Sequence, residues 1–378
     1  MMQGLCDVRR MKIMKRRVTI KDIAAEAGVS LGTVHLALSD KPGVGAVTRE
    51  RIRRIAKEMD YHPNTVASSL KRKTLHLAVC FPEVAGDNRY YYPQLWNGFR
   101  TYKESIQDFN ISIREFAYPE NGDGRSIDFQ KRQRIVLKEL EELLENGKLD
   151  GLVIHGNRCP FSAEKLHSYV DRGLALGLLD TDMPESGRLF CVSADYDIIG
   201  RTMAEIVMNR IPYCGSILLC AGIRDYPSHK RIEDGFDAYM RENHFDNLIY
   251  REYSNLICEE NYQKILEHVR RPDLAAACCV SSRTSVMLAQ ALRECGKAGK
   301  IVTIGSDIFE ENKKALQEGV FQNLIQKNPF AQAYMATRLL VDYLLKDMRS
   351  EESFVVGSQI VFRSNLPLFE RNSVRFLE

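Results

Sequence analysis

From Leu75 onward, short apolar runs alternate with stretches of helical period, and that alternation leaves few folds open. The runs are LHLAVCF, ISIREF, GLVIHG, LALGLLD, GSILLCAG, LAAACCVS and KIVTIGSD, with amphipathic helices expected near 93–109 and 127–146. A short apolar run with little polar alternation is the pattern of a strand buried on both faces. Strand, helix and strand in repetition give parallel sheets covered by helices, with ligand crevices at the carboxyl ends of the strands. At 378 residues the chain is long enough for two or three folding units.

The first 73 residues follow a different rule. They hold 16 Lys/Arg against 7 Asp/Glu, within a whole-chain net charge of only +3, so a strongly basic segment precedes a mildly acidic remainder. That asymmetry points to a polyanion partner for the first segment alone. TIKDIAAEAGVSLGTVHLAL reads as helix, turn and helix. Thr19 caps the first helix, whose Ile20, Ile23 and Ala24 share a face; Gly28 permits the turn; Ser30 caps the second, with Val34, Ala37 and Leu38 inward. A third amphipathic helix is expected over 48–59, with Arg49, Arg51, Arg53, Arg54 and Lys57 outside.

In a helix-turn-helix the second helix enters the major groove, which would bring Leu31, Gly32 and His35 to base edges and Thr33 near phosphate. None of these is the Arg, Asn or Gln that makes bidentate base contacts. Discrimination would then lean on thymine methyls, a single His hydrogen bond and DNA shape. A short helix starting at Pro63 or Asn64 is too short to be stable in water and is expected to order on contact with DNA and a partner subunit. Residues 1–16 are basic but lack the apolar run of a secretory signal, and are expected to form a disordered arm.

The segment RRVTIKDIAAEAGVSLGTVHLALSDKPGVGAVTRERIRRIAKEMDYHPNTVASSLKRK resembles the DNA-binding head and hinge of the LacI/GalR (lactose-repressor) family almost without a break. The resemblance implies a homodimer on double-stranded DNA at a near-palindromic operator, with paired hinge helices in the minor groove and Leu70 wedged into a central base step. It carries Ser30, Thr33 and Thr48 to phosphate contacts and Ala67 to the minor-groove face, and Thr19 and Asn64 join this DNA-facing set. One stretch departs: where the family reads Thr-Val-Ser-Arg, this chain has Thr33-Val34-His35-Leu36. Operator preference therefore does not transfer.

The remainder resembles, more weakly, the two-lobed periplasmic-binding-protein-like fold. The expected architecture is a small all-α helix-turn-helix domain (17–62), a hinge helix and linker (63–74) and a two-lobed α/β sensor domain with parallel sheets (75–378). Lobe 1 is placed at about 75–191 and 328–352, and lobe 2 at about 192–327 and 353–378, with crossings near 191–193, 326–329 and 350–353. Strand ends in the cleft should carry the polar and aromatic groups that hold a small ligand. They nominate Tyr91 among the three tyrosines at 90–92, His155 and Asn157, Asp180 and Asp182, Ser282 and Asp307. Gln326 lies at a crossing. The resemblance implies that Asp180, Asp307 and Gln326 hold ligand hydroxyls, so the expected effector is a carbohydrate. Two positions depart from the family pattern: Ser282-Arg283 replaces a common Asn-Asp, and Arg231 lies one residue before the usual arginine ahead of Gly-Phe.

Enzyme readings have little to stand on. There is no G-x-G-x-x-G, P-loop, G-x-S-x-G or H-E-x-x-H in the chain. Ten scattered cysteines show neither zinc spacing nor a small disulfide scaffold, so no metal or cofactor is expected and reduced thiols in a cytoplasm are the simple reading. No run reaches the length of a membrane helix. SNLPLFERNSVRFLE, after the last expected strand, lacks sustained heptads, which argues against a coiled-coil tetramer and leaves a dimer.

Overall fold

The computed structural model describes residues 18–38, 42–59, 61, 73–119, 127–156, 159–211, 215–253 and 256–371. The chain forms two compact units, Met1–Lys73 and Thr74–Glu378. The expected hinge contacts Asn64, Ala67 and Leu70, the arm at 1–16 and Asn157 lie outside the described residues.

The first unit packs three helices, α1 (Ile20–Ala27), α2 (Leu31–Leu38) and α3 (Ala46–Glu58). Thr19 and Asp22 start α1 together: the Thr19 amide and hydroxyl donate to Asp22 Oδ2 at 2.8 and 2.7 Å, and the Asp22 amide donates to the Thr19 carbonyl at 3.0 Å. Gly28 ends it at φ +63, a conformation that costs a side-chain-bearing residue energy, and the Gly28 and Val29 amides return to Ala25 and Ala24 carbonyls. Ile23, Ala24, Ala27, Val34, Ala37, Ile52 and Ala56 form the core. Arg51 Nη2 donates to the Ala27 carbonyl at 2.9 Å, so a basic residue of α3 satisfies the end of α1. The third helix starts at Ala46 rather than 48, because extended Gly45 serves as its N-cap and leaves Thr48 inside the first turn.

The second unit holds two six-stranded sheets. The first contains β1 (Leu75–Pro82), β2 (Ile111–Tyr118), β3 (Gly151–His155), β4 (Ala175–Leu179), β5 (Phe190–Ala194) and β11 (Ser353–Val356), in the order β11-β5-β4-β3-β1-β2 and parallel throughout. The second contains β6 (Ser216–Gly222), β7 (Ile249–Tyr253), β8 (Leu274–Cys279), β9 (Val302–Ser306), β10 (Asn323–Gln326) and β12 (Gln359–Val361). Its order is β12-β10-β9-β8-β6-β7, with the β10–β12 pair antiparallel.

Both faces of each sheet are covered, which explains the unbroken apolar runs. In β1, Ala78 and Cys80 pack beneath α5 (Ile127–Glu145) and α6 (Ala163–Val170). Val79 and Phe81 pack on the other face, against α4 (Tyr92–Ser105) and α12 (Pro329–Lys346). In β6, Leu218 and Cys220 face α9 (Glu259–Arg270), α10 (Ser282–Glu294) and α11 (Glu310–Gln317). Ile217, Leu219 and Ala221 face α7 (Tyr196–Met208) and α8 (Pro227–Glu242). Each fully buried Val, Leu, Ile or Phe among them contributes about 2 kcal/mol of transfer free energy.

Helices α7 and α8 cross at a pair of glycines. A Cβ on Gly200 would lie 1.9 Å from the Ile232 carbonyl oxygen, and one on Gly235 would lie 2.2 Å from that of Asp197.

The chain passes between lobes three times. It leaves the first sheet after Ala194 and enters α7, which belongs to the core of the second lobe. It returns at Lys327–Asn328, between β10 and α12. The last passage is at Gly357–Ser358, because β11 pairs with β5 and still belongs to the first lobe. This corrects the boundary expected at 350–353: Ser353–Val356 completes the first sheet instead of opening the second lobe.

Candidate ligand cleft and nucleic-acid interface

On the helical unit, one surface is assembled around the amino end of α2. Ser30 Oγ accepts the Thr33 amide at 3.1 Å and lies 2.8 Å from Thr33 Oγ1, so both hydroxyls are first of all helix-capping groups. Leu31, Gly32 and His35 are exposed together, with Leu31 44% exposed, while Leu36 and Thr48 are half-buried. An exposed leucine beside a glycine and a histidine at the start of a helix is a shape suited to close apolar contact in a groove.

In the second unit, a cavity lies between the lobes. The first lobe lines it with Asp87, Tyr91, Tyr92, His155 and Asp180. The second lobe contributes Ile223, Tyr226, Ser228, His229, Ser281, Ser282 and Arg283, and Lys327 stands at a crossing. All of these groups sit at strand ends or the first turn of a following helix, as a doubly wound sheet requires. Aromatic rings form much of the wall: Tyr92 meets Tyr91 at 5.3 Å and His155 at 5.5 Å between ring centroids. Tyr226 lies 5.2 Å from His229.

Two aspartates occupy corresponding places, after β4 and after β9, and both adopt left-handed backbone, Asp180 at φ 73 and Asp307 at φ 66. Their surroundings differ. Asp180 accepts from the Tyr196 hydroxyl, and burial together with the Asp180 charge pushes that phenol well above its ordinary pKa. Asp307 is taken up by its own lobe. Lys327 Nζ lies 2.7 Å from Asp307 Oδ2, with only 7% of the lysine and 1% of the aspartate side chain exposed. Ser282 Oγ donates to the same carboxylate at 2.8 Å. Burial and the positive charges of Lys327 and Arg283 hold His229 neutral, with its pKa lowered to about 3, while its Nδ1 accepts the Ile223 amide at 2.9 Å.

Direct contacts join the lobes beside the cavity. Asp87 Oδ2 accepts the Ile257 amide at 3.0 Å, Arg283 donates to Asn88 Oδ1, and Tyr90 packs on Phe309 at 4.9 Å. Gln94 donates to the Ile308 carbonyl and accepts from Gln326 Nε2 at 2.8 Å.

Residues 19–64 match the lacI family of bacterial regulatory proteins, and residues 85–347 match the periplasmic binding protein domain. The chain belongs to the periplasmic binding protein domain family and carries a lacI-family head. The HTH-type transcriptional regulator RegA of Clostridium saccharobutylicum is 32% identical over 136 residues, 36% of each chain. The chain thus spans about a third of that relative's length in the alignment. Catabolite control protein A of Staphylococcus aureus (strain Mu50) aligns over 92% of this chain and 98% of its own, at 20% identity. Among solved structures, a protein from Bacteroides fragilis described as a LacI transcriptional regulator superposes with a TM-score of 0.64 at 18% identity. It covers 78% of this chain and 99% of its own. An ABC transporter solute-binding protein from Burkholderia graminis, solved with D-arabinose, gives 0.62 at 18% identity, covering 78% and 97%. These structural likenesses establish the fold.

Within the sensor domain, four of the residues nominated from strand ends line the cavity: Tyr91, His155, Asp180 and Ser282. Four others do not. Asp182 turns toward solvent and pairs with Arg188, at 2.7 Å between Oδ1 and Nε. Arg231 is exposed on α8, one step around the helix from the cleft. Asp307 lies behind Lys327, and Gln326 lines a second, more open cavity together with Gln94 and Phe309. The cavity also contains Asp87, Tyr226, Ser228, His229, Arg283 and Lys327, none of which was nominated. Ser228 and His229 follow β6 as the other candidates follow their strands, so the same strand-end rule applied to GSILLCAG would have reached them. No sequence signal marks Lys327 as the partner of Asp307.

Among the described residues no group of three or more His, Cys, Asp or Glu is placed to hold a metal, and no helix is long and apolar enough to cross a membrane.

Proposed function

We propose that this protein is a cytoplasmic, sequence-specific transcriptional repressor rather than an enzyme, acting as a homodimer on a near-palindromic operator and controlled by a carbohydrate-type effector between its lobes. The observation that carries the reading is the union, in one chain, of a lacI-family helix-turn-helix with a two-lobed cavity lined from both sides. On the head, Thr19, Ser30, Leu31, Gly32, Thr33, His35, Leu36 and Thr48 form the DNA-facing set, with Asn64, Ala67 and Leu70 in the hinge. In the cleft, Tyr91, His155, Asp180 and Ser282 contact the effector.

Control follows if the effector binds one lobe arrangement better than the other, since a ligand shifts an equilibrium only by its differential affinity. The test is an oligonucleotide selection on the full chain, followed by binding over a salt series with and without effector. A palindromic consensus bound far more tightly than scrambled DNA, with affinity changed by a cleft ligand, is the expected result. Equal affinity for both DNAs at all salt concentrations identifies instead a sensor with low-specificity DNA attachment.

A further inference from the structure

The two walls of the cleft differ in what they offer a ligand, and the difference narrows the effector class; this step rests on the reading of the cleft as the effector site. The first-lobe wall is acceptor-rich. Asp180 accepts from Tyr196 and from Thr181 Oγ1 at 3.1 Å, and Asp87 accepts one backbone amide with Arg89 Nη1 3.9 Å away. An ionised carboxylate has about four acceptor positions and no donor, so both retain capacity for ligand hydroxyls.

The second-lobe wall is donor-rich. Its one nearby carboxylate, Asp307, is consumed: Oδ2 takes Lys327 Nζ at 2.7 Å, Ser282 Oγ at 2.8 Å and Ser306 Oγ at 3.0 Å, and Oδ1 takes the Lys327 amide at 3.3 Å. Facing the cavity are the Arg283 guanidinium, which gives one of its five N–H groups to Asn88 Oδ1 of the first lobe, Ser281, whose Oγ also accepts the Thr284 amide at 3.3 Å, and a neutral His229 whose proton resides on Nε2, since Nδ1 accepts from Ile223. Helices α8 and α10 also begin at this wall, at Pro227 and Ser282, adding the positive ends of their dipoles.

We propose that the effector is a hydroxylated ring bearing one anionic group, a carboxylate or a phosphate ester, with its hydroxyls on Asp87 and Asp180 and its anion on Arg283. With Asp307 held by Lys327, no carboxylate of the second lobe is among the described residues that line the cavity. In the reversed orientation the anion would face two carboxylates and be repelled.

The experiment is titration calorimetry of the full chain with matched sets: neutral hexoses and pentoses, the corresponding uronates and aldonates, and the sugar phosphates. At least one acidic member binds ten-fold or more tightly than its neutral parent, and the carboxylate and phosphate arms tell the two sources apart. Arg283→Gln, whose Nε2 can still donate to Asn88 Oδ1, lowers affinity for the anionic ligand at least ten-fold more than for the neutral parent; Asp180→Asn weakens both. Should Arg283→Gln not fold, Arg283→Lys, which keeps the charge, retains the preference for the anion. Neutral sugars bound as tightly as their acids, or a loss on Arg283→Gln shared equally by all ligands, overturns the assignment and leaves the effector site standing. Binding of no member of any set overturns both.

Discussion

Lys327 and Asp307 form a buried ion pair at 2.7 Å, twenty residues apart in the chain, within the lobe that each would otherwise leave with an uncompensated charge. The ammonium also donates to the Val280 carbonyl at 3.0 Å and to Ser306 Oγ at 2.5 Å, so its three hydrogens are all placed. Removing one partner of such a pair costs about 3–5 kcal/mol, because the other stays buried and charged. Lys327→Met is expected to lower the stability of the sensor unit by that amount in chemical denaturation. Lys327→Met combined with Asp307→Asn, which removes the charge yet tolerates the left-handed backbone and keeps an acceptor for Ser282, should recover most of it. A double variant no better than the single one would show that the aspartate has a structural role independent of its charge.

His229 gives the cleft a pH signature. Its folded-state pKa of about 3 lies below the ordinary histidine value, so the folded protein binds fewer protons than the unfolded chain. The stabilisation is therefore complete above about pH 6.5 and is lost progressively as pH falls toward the folded value, roughly 2 kcal/mol by pH 5. Urea denaturation at pH 7 and pH 5 measures it. His229→Asn, whose Oδ1 can accept the Ile223 amide, should flatten the difference between the two pH values; an unchanged difference would assign the pH dependence to other groups.

The glycine crossing of α7 and α8 tolerates no side chain. Gly200→Ala or Gly235→Ala would drive a methyl into a carbonyl oxygen of the facing helix, at 1.9 and 2.2 Å respectively. Each is expected to cost about 3 kcal/mol, the upper end of the usual overpacking range, since backbone must separate rather than a side chain rotate. Thermal unfolding of the two variants checks this, and a shift of under 2 °C in either would mean that the helices can slide apart.

On the head, Ser30→Ala removes the acceptor of the Thr33 amide and should cost about 1 kcal/mol of stability. Ser30→Asp keeps an acceptor at the cap while placing a negative charge where DNA phosphate is expected. Ser30→Asp with stability retained but operator affinity lost ten-fold or more would separate capping from DNA contact. Equal operator affinity in the two variants would remove Ser30 from the interface.

Much of the architecture was legible because strands buried on both faces must be apolar throughout, as Ala78, Val79, Cys80 and Phe81 are. The final crossing was not. Ser353–Val356 and Gln359–Val361 are short and only partly buried, and nothing in four or three residues says which sheet they join. In the cleft, strand ends located Tyr91, His155, Asp180 and Ser282, because the crevice of a parallel sheet is set by topology. Side-chain pairing is not set that way. Arg188 pairs with Asp182 and Lys327 with Asp307, and both outcomes depend on distances that exist only after folding.

Because Ser353–Val356 finishes one sheet and Gln359–Val361 the other, each lobe is sewn from separated stretches of the polypeptide. No single cleavage can then release either lobe as an intact piece. A nick at an exposed loop should leave two fragments that remain entwined and copurify, and genetic exchange of a whole lobe between relatives would require matched joints at all three passages. Such a domain changes specificity by replacing side chains around its cavity, not by trading halves.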